Sequence, residues 1–265
     1  MLVHSRAARW ALRALFLVLF LPVFALPFLV ILAASFSTEW SGAFPSGATL
    51  THYQDIARGD SLDALTASLV TAFAAGVLAL AAGTWAALAA DALRRRGRRV
   101  IDALFMLPVA VPSVVVGLAL LVAFSRPPIL LNGTRQIVIA AHAILVTAFA
   151  YQSVSAAVAR LDPAYEQSAA SLGARPWYVL LRVKLPLLLP SLTAAAGLCF
   201  ALSMGELSAT MMLYPPDWLP LPVKIFAATD RGALFAGAAL AVVLMAATLL
   251  VLLAVGRVRT RASYR

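Results

Sequence analysis

Charge-free apolar runs alternate with short polar segments along the whole chain, and six of them are at least as long as the ~20 residues an α-helix needs to cross a bilayer's hydrocarbon core. They are Ala14–Thr38, Ala64–Ala90, Ala103–Ser125, Gln136–Ala159, Leu185–Gly205 and Gly232–Gly256. A further stretch, Leu207–Val223, is mostly apolar and could dip into the membrane. The polar segment Ser37–Leu62 holds Glu39, Asp55, Asp60 and the turn residues Pro45-Ser46-Gly47, and it is too short for an independent domain. The pattern therefore predicts one all-α integral membrane domain over residues 1–265 with six transmembrane helices. A basic start followed by an apolar run also fits a secretory signal, and Ala33-Ala34-Ser35 supplies small residues for cleavage. The run is longer than a signal core, and its removal would leave an odd number of spans, so a retained first helix is expected.

Composition agrees with a lipid solvent. Hydrophobic residues make up 63% of the chain and charged ones 12%, about half the share of an ordinary soluble domain. The net charge of +10 would suit a nucleic-acid partner if it formed one patch, but the cations sit in short clusters between apolar runs. With the N-terminus inside, sixteen lysines and arginines fall on the inner segments and five on the outer ones (Arg58, Arg126, Arg135, Lys224 and Arg231). The positive-inside rule then puts both termini in the cytoplasm and gives nucleic acid no role. The run Arg94–Arg99 reads as a topology anchor against anionic membrane lipid. Cys199 is the sole cysteine, and His4, His52 and His142 are far apart, so no metal site or cofactor is expected.

Between the fourth and fifth runs lies the longest inner segment, Arg160–Pro190. Asp162 before Pro163 is a helix start, since the carboxylate can accept free N–H groups and proline suits the first helical position. Leu161, Tyr165, Ala169 and Leu172 recur at helical spacing, and Gly173 is a natural stop. A second short helix is expected over Trp177–Leu185, ending at Pro186. Two short amphipathic helices at an angle, lying under the membrane, would by themselves only tether the bundle.

This segment resembles the cytoplasmic loop of permeases in binding-protein-dependent ABC importers (the MetI-like family). Their pattern is Glu-Ala-Ala, three residues, Gly, nine residues, Ile, one residue, Leu-Pro. Here Gly173 is followed at the right distance by Val183 and then Leu185-Pro186, with valine in place of isoleucine. At the Glu-Ala-Ala positions stand Gln167, Ser168 and Ala169, followed by Ala170, while Glu166 lies one residue early. The resemblance implies a coupling helix in the loop between spans four and five, docked on a cytoplasmic ABC ATPase dimer. It further implies a second permease subunit, identical or homologous, an extracytoplasmic substrate-binding protein, and a place in the bacterial inner membrane. The chain would supply half of the translocation pore and would not be an enzyme. Consistently, Lys184 and Lys224 are followed by Leu185 and Ile225, so no phosphate-binding Gly-x4-Gly-Lys-Ser/Thr loop exists.

Candidate pathway residues come from irregular or polar positions in the spans. Pro108 and Pro112 interrupt span three, and prolines there either line a pathway or only kink the helix. Glu206 stands at the far end of span five, about 27 Å from Leu188 at ~1.5 Å per residue, beside Ser203, Ser208 and Thr210. It lines a pathway or gate, or is held by those hydroxyls. His142 reads as a buried histidine bonded to a neighbouring helix, and Tyr214–Trp218 as an interfacial belt within reach of a binding protein. The string Gly205–Pro216 with Thr229-Asp230-Arg231-Gly232 is most similar to 2-aminoethylphosphonate permeases. Iron, polyamine, molybdate and thiamine permeases share much of that pattern. A secondary transporter would need more embedded charges, and a membrane enzyme would need a His, Asp or Glu cluster that is absent here.

Overall fold

The computed structural model describes residues 5–42 and 45–262; His4 and Arg265 lie outside them. Among these residues the order is α1 (Arg6–Ser35), β1 (Ser37–Glu39), β2 (Ser46–Ala48), α2 (Thr51–Arg58), α3 (Ser61–Ala92), α4 (Arg95–Ala110), α5 (Ser113–Ala123) and α6 (Arg135–Val158). There follow α7 (Ala164–Ser171), α8 (Pro176–Val179), a π turn (Leu180–Lys184), α9 (Leu185–Met204), α10 (Ser208–Leu213), α11 (Leu221–Asp230) and α12 (Leu234–Ala262). Among the described residues, five helical stretches are long and apolar enough to cross a membrane, and α4 with α5 makes a sixth if the pair counts as one span.

The chain forms two compact units, Met1–Leu62 with Lys224–Val243, and Asp63–Val223 with Leu244–Arg265. In the first, α1 displays exposed apolar side chains along most of its length, with Phe16, Phe20 and Phe24 stacked at 4.7 and 3.9 Å. A two-stranded antiparallel pair follows, Ser37 with Ala48 and Glu39 with Ser46, inside the polar segment Ser37–Leu62 that the sequence marks as a loop. Helix α2 folds back on it: Tyr53 Oη donates to Ser35 Oγ at 2.7 Å, and His52 Nε2 lies 3.0 Å from the Ser37 carbonyl. Lys224 Nζ donates to Asp60, whose carboxyl is thereby held below the usual carboxylate range.

The second unit is a helix bundle packed through small residues. With no water to exclude between helices in lipid, close backbone approach replaces the hydrophobic drive, and alanine and glycine permit it. Ala72, Ala75, Ala79, Ala87 and Ala90 of α3 are buried. At Gly83 a β-carbon would stand 2.7 Å from the Tyr151 backbone nitrogen, so α3 and α6 touch main chain to side-chain stub there. Three layers follow along α6. Ile137, Val138 and Ala141 pack with Ala209 and Leu213; Val146 and Ala150 with Ala79 and Cys199; Val154, Ala157 and Val158 with Ala87, Ala90 and Leu188. Tyr151 donates to Asp102 across to α4.

Span three, expected over Ala103–Ser125 with Pro108 and Pro112 interrupting it, is broken at the second of these prolines. Residue Val111 precedes Pro112, and the proline ring pushes the residue before it out of the helical region; Val111 is extended (φ −105°, ψ 130°). The helices on either side meet at 101°. Pro108, by contrast, is carried inside α4. Span five also differs: the expected short helix Trp177–Leu185 does not stop at Pro186 but runs on through the π turn into α9. The helical stretch Pro176–Met204 is 29 residues, about 43 Å, which exceeds a hydrocarbon core of ~30 Å.

Candidate functional site

Two polar clusters stand at opposite ends of the α6 layers. The first surrounds α7. Asp162 starts the helix as its sequence position predicts, its Oδ1 accepting the Ala164 N–H at 2.9 Å. The end is a paired-hydrogen-bond stop: Gly173 N–H reaches Ala170 O at 2.9 Å and Ala174 N–H reaches Ala169 O at 3.1 Å. That geometry requires a left-handed residue, and Gly173 has φ +81°.

No residue of α7 is buried. The periodic residues Tyr165 and Leu172 do not face the bundle; they are 55% and 88% exposed, which leaves apolar surface open to a partner. Gln167, Ser168 and Ala170 are exposed and Ala169 half-buried. A β-carbon at Gly173 would meet nothing within 4 Å, so a side chain there would project outward. Beneath the helix a groove of about 570 Å³ separates Gln167, Ala170 and Ala174 from Trp85, Leu88 and Ala89 of α3. Val183 and Leu185 are half-buried in the helical run beyond, and Pro186 is exposed. They are parts of span five, not of α7.

Sequence reading left two residues of this cluster out, Lys184 and Asp91. Lys184, at the variable position before Leu185-Pro186, lies 2.5 Å from Glu166 Oε1 and 4.0 Å from Asp91 Oδ2. The signal was available: a lone lysine close to an acid that is one place out of the family's register.

The second cluster is centred on His142 of α6, which is 2% exposed. Its Nδ1 lies 2.7 Å from Ser203 Oγ and its Nε2 2.8 Å from Thr210 Oγ1. Glu206 Oε2 accepts from the Thr210 backbone N–H (3.0 Å) and hydroxyl (2.8 Å), while Oε1 accepts from the Ala209 N–H (3.0 Å). The directions follow by elimination. Because Thr210 O–H is spent on the carboxylate, it can only accept from His142 Nε2–H, and the other nitrogen then accepts from Ser203 O–H. The result is a one-way chain, Ser203 to His142 to Thr210 to Glu206, ending on a carboxylate that also caps α10.

Of the candidate pathway residues, the fold therefore gathers Ser203, Glu206 and Thr210. Ser208 is exposed at the start of α10, while Pro108 and Pro112 serve the geometry of α4 and α5. Nearby, Trp218 donates its indole N–H to Thr71 Oγ1 at 3.0 Å, the Leu221 N–H reaches Ser68 Oγ at 2.8 Å, and Arg135 lies 5.6 Å over the Trp218 ring. These contacts pin Trp218 and Leu221 to α3 and to the start of α6. No group of His, Cys, Asp and Glu that could hold a metal occurs among the described residues.

Comparison with known proteins supplies a frame for both clusters. Residues 79–264 match the family described as "Binding-protein-dependent transport system inner membrane component". The chain is 48% identical, over 98% of both lengths, to a Salmonella typhimurium strain LT2 protein named "Putative 2-aminoethylphosphonate transport system permease protein PhnV". It is 36% identical to the molybdenum transport system permease protein ModB of Mycobacterium bovis, over 74% of this chain and 79% of that one. Among solved structures it resembles a chain of a bacterial ABC transporter that imports the polysaccharide alginate (TM-score 0.74, 17% identity, 96% of each chain). It also resembles a chain of the inward-facing MetNI methionine ABC transporter (TM-score 0.66, 15% identity, 76% of this chain and 95% of that one).

Proposed function

Since the chain belongs to the family of inner-membrane components of binding-protein-dependent transport systems, the permease subunits of ABC importers, we propose that it couples transport to a separate ATPase through α7. The observation that carries this is the state of α7 itself. A helix with a firm start at Asp162, a firm stop at Gly173 and no buried residue is built to be covered by something outside the chain. Its exposed Tyr165 and Leu172 offer a partner apolar surface, and its small residues Ser168, Ala169 and Ala170 allow close approach.

On this reading residues 1–265 are a single permease domain supplying half of the pore, and a second permease, identical or homologous, completes it. ATP is hydrolysed by a cytoplasmic ATPase dimer, and an extracytoplasmic binding protein delivers substrate near Tyr214–Trp218. Both termini and the Arg94–Arg99 run face the cytoplasm, as the distribution of cations requires. The His142 cluster then lies toward the outer face, where Ser203, Glu206 and Thr210 hold α10 beside the pathway. The substrate is 2-aminoethylphosphonate, as the name of the Salmonella relative supports.

The test is co-purification of the ATPase followed by uptake of labelled 2-aminoethylphosphonate into proteoliposomes holding the assembled transporter. Wild-type chain should recover the ATPase and drive ATP-dependent uptake. Gly173→Asp projects a charge from the exit of α7 and puts a side chain on a left-handed residue, a local cost of ~1–2 kcal/mol; compared at matched amounts of folded protein, it should lower uptake at least ten-fold. Wild-type-like uptake by that variant, or failure to recover any ATPase, would overturn the coupling assignment; absent uptake with stimulated hydrolysis by another ligand would overturn the substrate.

A further inference from the structure

Glu166 is one residue out of register with the family's acidic position, and the structure gives it an occupation of its own. It sits in the first turn of α7, where a carboxylate suits the positive end of the helix dipole. Asp91, one residue from the end of α3, sits where the same dipole disfavours a negative charge. Lys184 lies between them, 2.5 Å from one and 4.0 Å from the other, with a side chain only 18% exposed. It closes the π turn: the Leu185 N–H bonds to Leu180 O, five residues back. Pro186 beyond it has no N–H to continue an ordinary ladder, which accounts for the wider turn at this place.

Three elements thus meet at one ammonium group. The mechanical setting explains what that does. The covalent link from α7 to α8 is Leu172–Arg175, four residues containing the left-handed Gly173. A push on α7 delivered through that link alone would bend it at the glycine. Apolar packing does little to stiffen the joint, because no residue of α7 is fully buried and the groove beneath it is open. An ionic contact from Glu166 of α7 to Lys184 at the start of span five, and through Lys184 to Asp91 of α3, supplies a second attachment.

We propose that Lys184, with Glu166 and Asp91, is an ionic brace that makes α7 move as one body with α3 and α9, so that displacement of the docked helix reaches both spans. Lys184 is a positioning residue here, and Glu166 is a strut of this chain while Gln167 is left to face the partner. The inference rests on the coupling reading of α7 for its consequence in transport, but the brace itself is a property of this chain alone.

The experiment separates the two. Spin labels at Ala92→Cys and Ala164→Cys, both exposed positions, in a Cys199→Ala background report the spread of distances between α3 and α7. It is measured in the full-length chain, alone and in the assembled transporter with and without ATP. The braced protein should give one narrow distribution in every state. Lys184→Met, which keeps the length of the side chain and removes its charge, should broaden the distribution at least two-fold and cut 2-aminoethylphosphonate uptake per ATP at least five-fold. The full charge exchange, Lys184→Glu with Glu166→Lys and Asp91→Lys, keeps both pairings and should recover at least half of both losses. An unchanged distribution in Lys184→Met, or a full exchange no better than Lys184→Glu alone, would overturn the brace. Failure of the wild-type chain to recover an ATPase would instead sink the coupling reading, leaving the label distances to judge the brace.

Discussion

The two polar clusters solve the same problem of placing charge in an apolar bundle in opposite ways. Around His142 every polar group has a neutral or charge-assisted partner, and the whole chain from Ser203 to Glu206 lies within α6, α9, α10 and the turn between the last two. Around Lys184 there are two carboxylates for one ammonium, with Glu166 and Asp91 44% and 38% exposed. A buried network that is fully satisfied costs dearly when one member is removed, because the remaining donors and acceptors have no water to turn to. A partly exposed ion pair is worth little in stability, since water screens it and replaces the lost partner. The first kind of cluster therefore holds a fold together, and the second can carry a moving joint without adding much to the energy of the native state.

Substitutions at three positions would break or sharpen that contrast. The largest stability loss is expected from His142→Leu. It strips Ser203 of its acceptor and Thr210 of its donor, and interhelical bonds of this kind in membrane bundles are worth about 0.6–2 kcal/mol each. Thermal unfolding in detergent should show about 2 kcal/mol of destabilisation, and a change below 0.5 kcal/mol would mean the chain of bonds is not formed. Glu206→Ala comes next. It uncaps α10 by freeing the Ala209 and Thr210 N–H groups, at a cost of about 1 kcal/mol. Glu206→Gln retains one accepting oxygen and should recover about half of that. If both variants also transport normally, a pathway role for the carboxylate falls, whatever their stability. The smallest effect is expected from Lys184→Met, whose unfolding midpoint should correspond to less than about 0.5 kcal/mol. A loss as large as that of His142→Leu would erase the distinction between the clusters and make Lys184 a structural residue.

How much of this was legible beforehand differs by element. The spans could be read because lipid imposes length and apolarity on any helix that crosses it, and those demands are written residue by residue. The limits of α7 could be read because Asp162 and Gly173 act through bonds to their own neighbours. The break at Val111-Pro112 was legible as a weak point but not as a 101° bend, since a proline says where a helix is vulnerable and packing decides how far it turns. The fusion of Trp177–Leu185 with span five was hidden for the same reason: Pro186 normally ends a ladder, and the π turn that carries the helix past it is a tertiary accommodation. Likewise, Tyr165 and Leu172 show helical spacing, yet the spacing alone does not say whether their face meets the bundle or a partner.

Sequence by itself determined the solvent of this protein, its long apolar spans, the limits of α7 and its family resemblance. All of these rest on composition, period, or contacts within a few residues. Only the tertiary structure decided that His142 meets Ser203 and Thr210, 61 and 68 positions away, and that Lys184 meets Glu166 and Asp91. Such pairings are set by which helix faces close on each other, and no local preference of a histidine or a lysine encodes its distant partner.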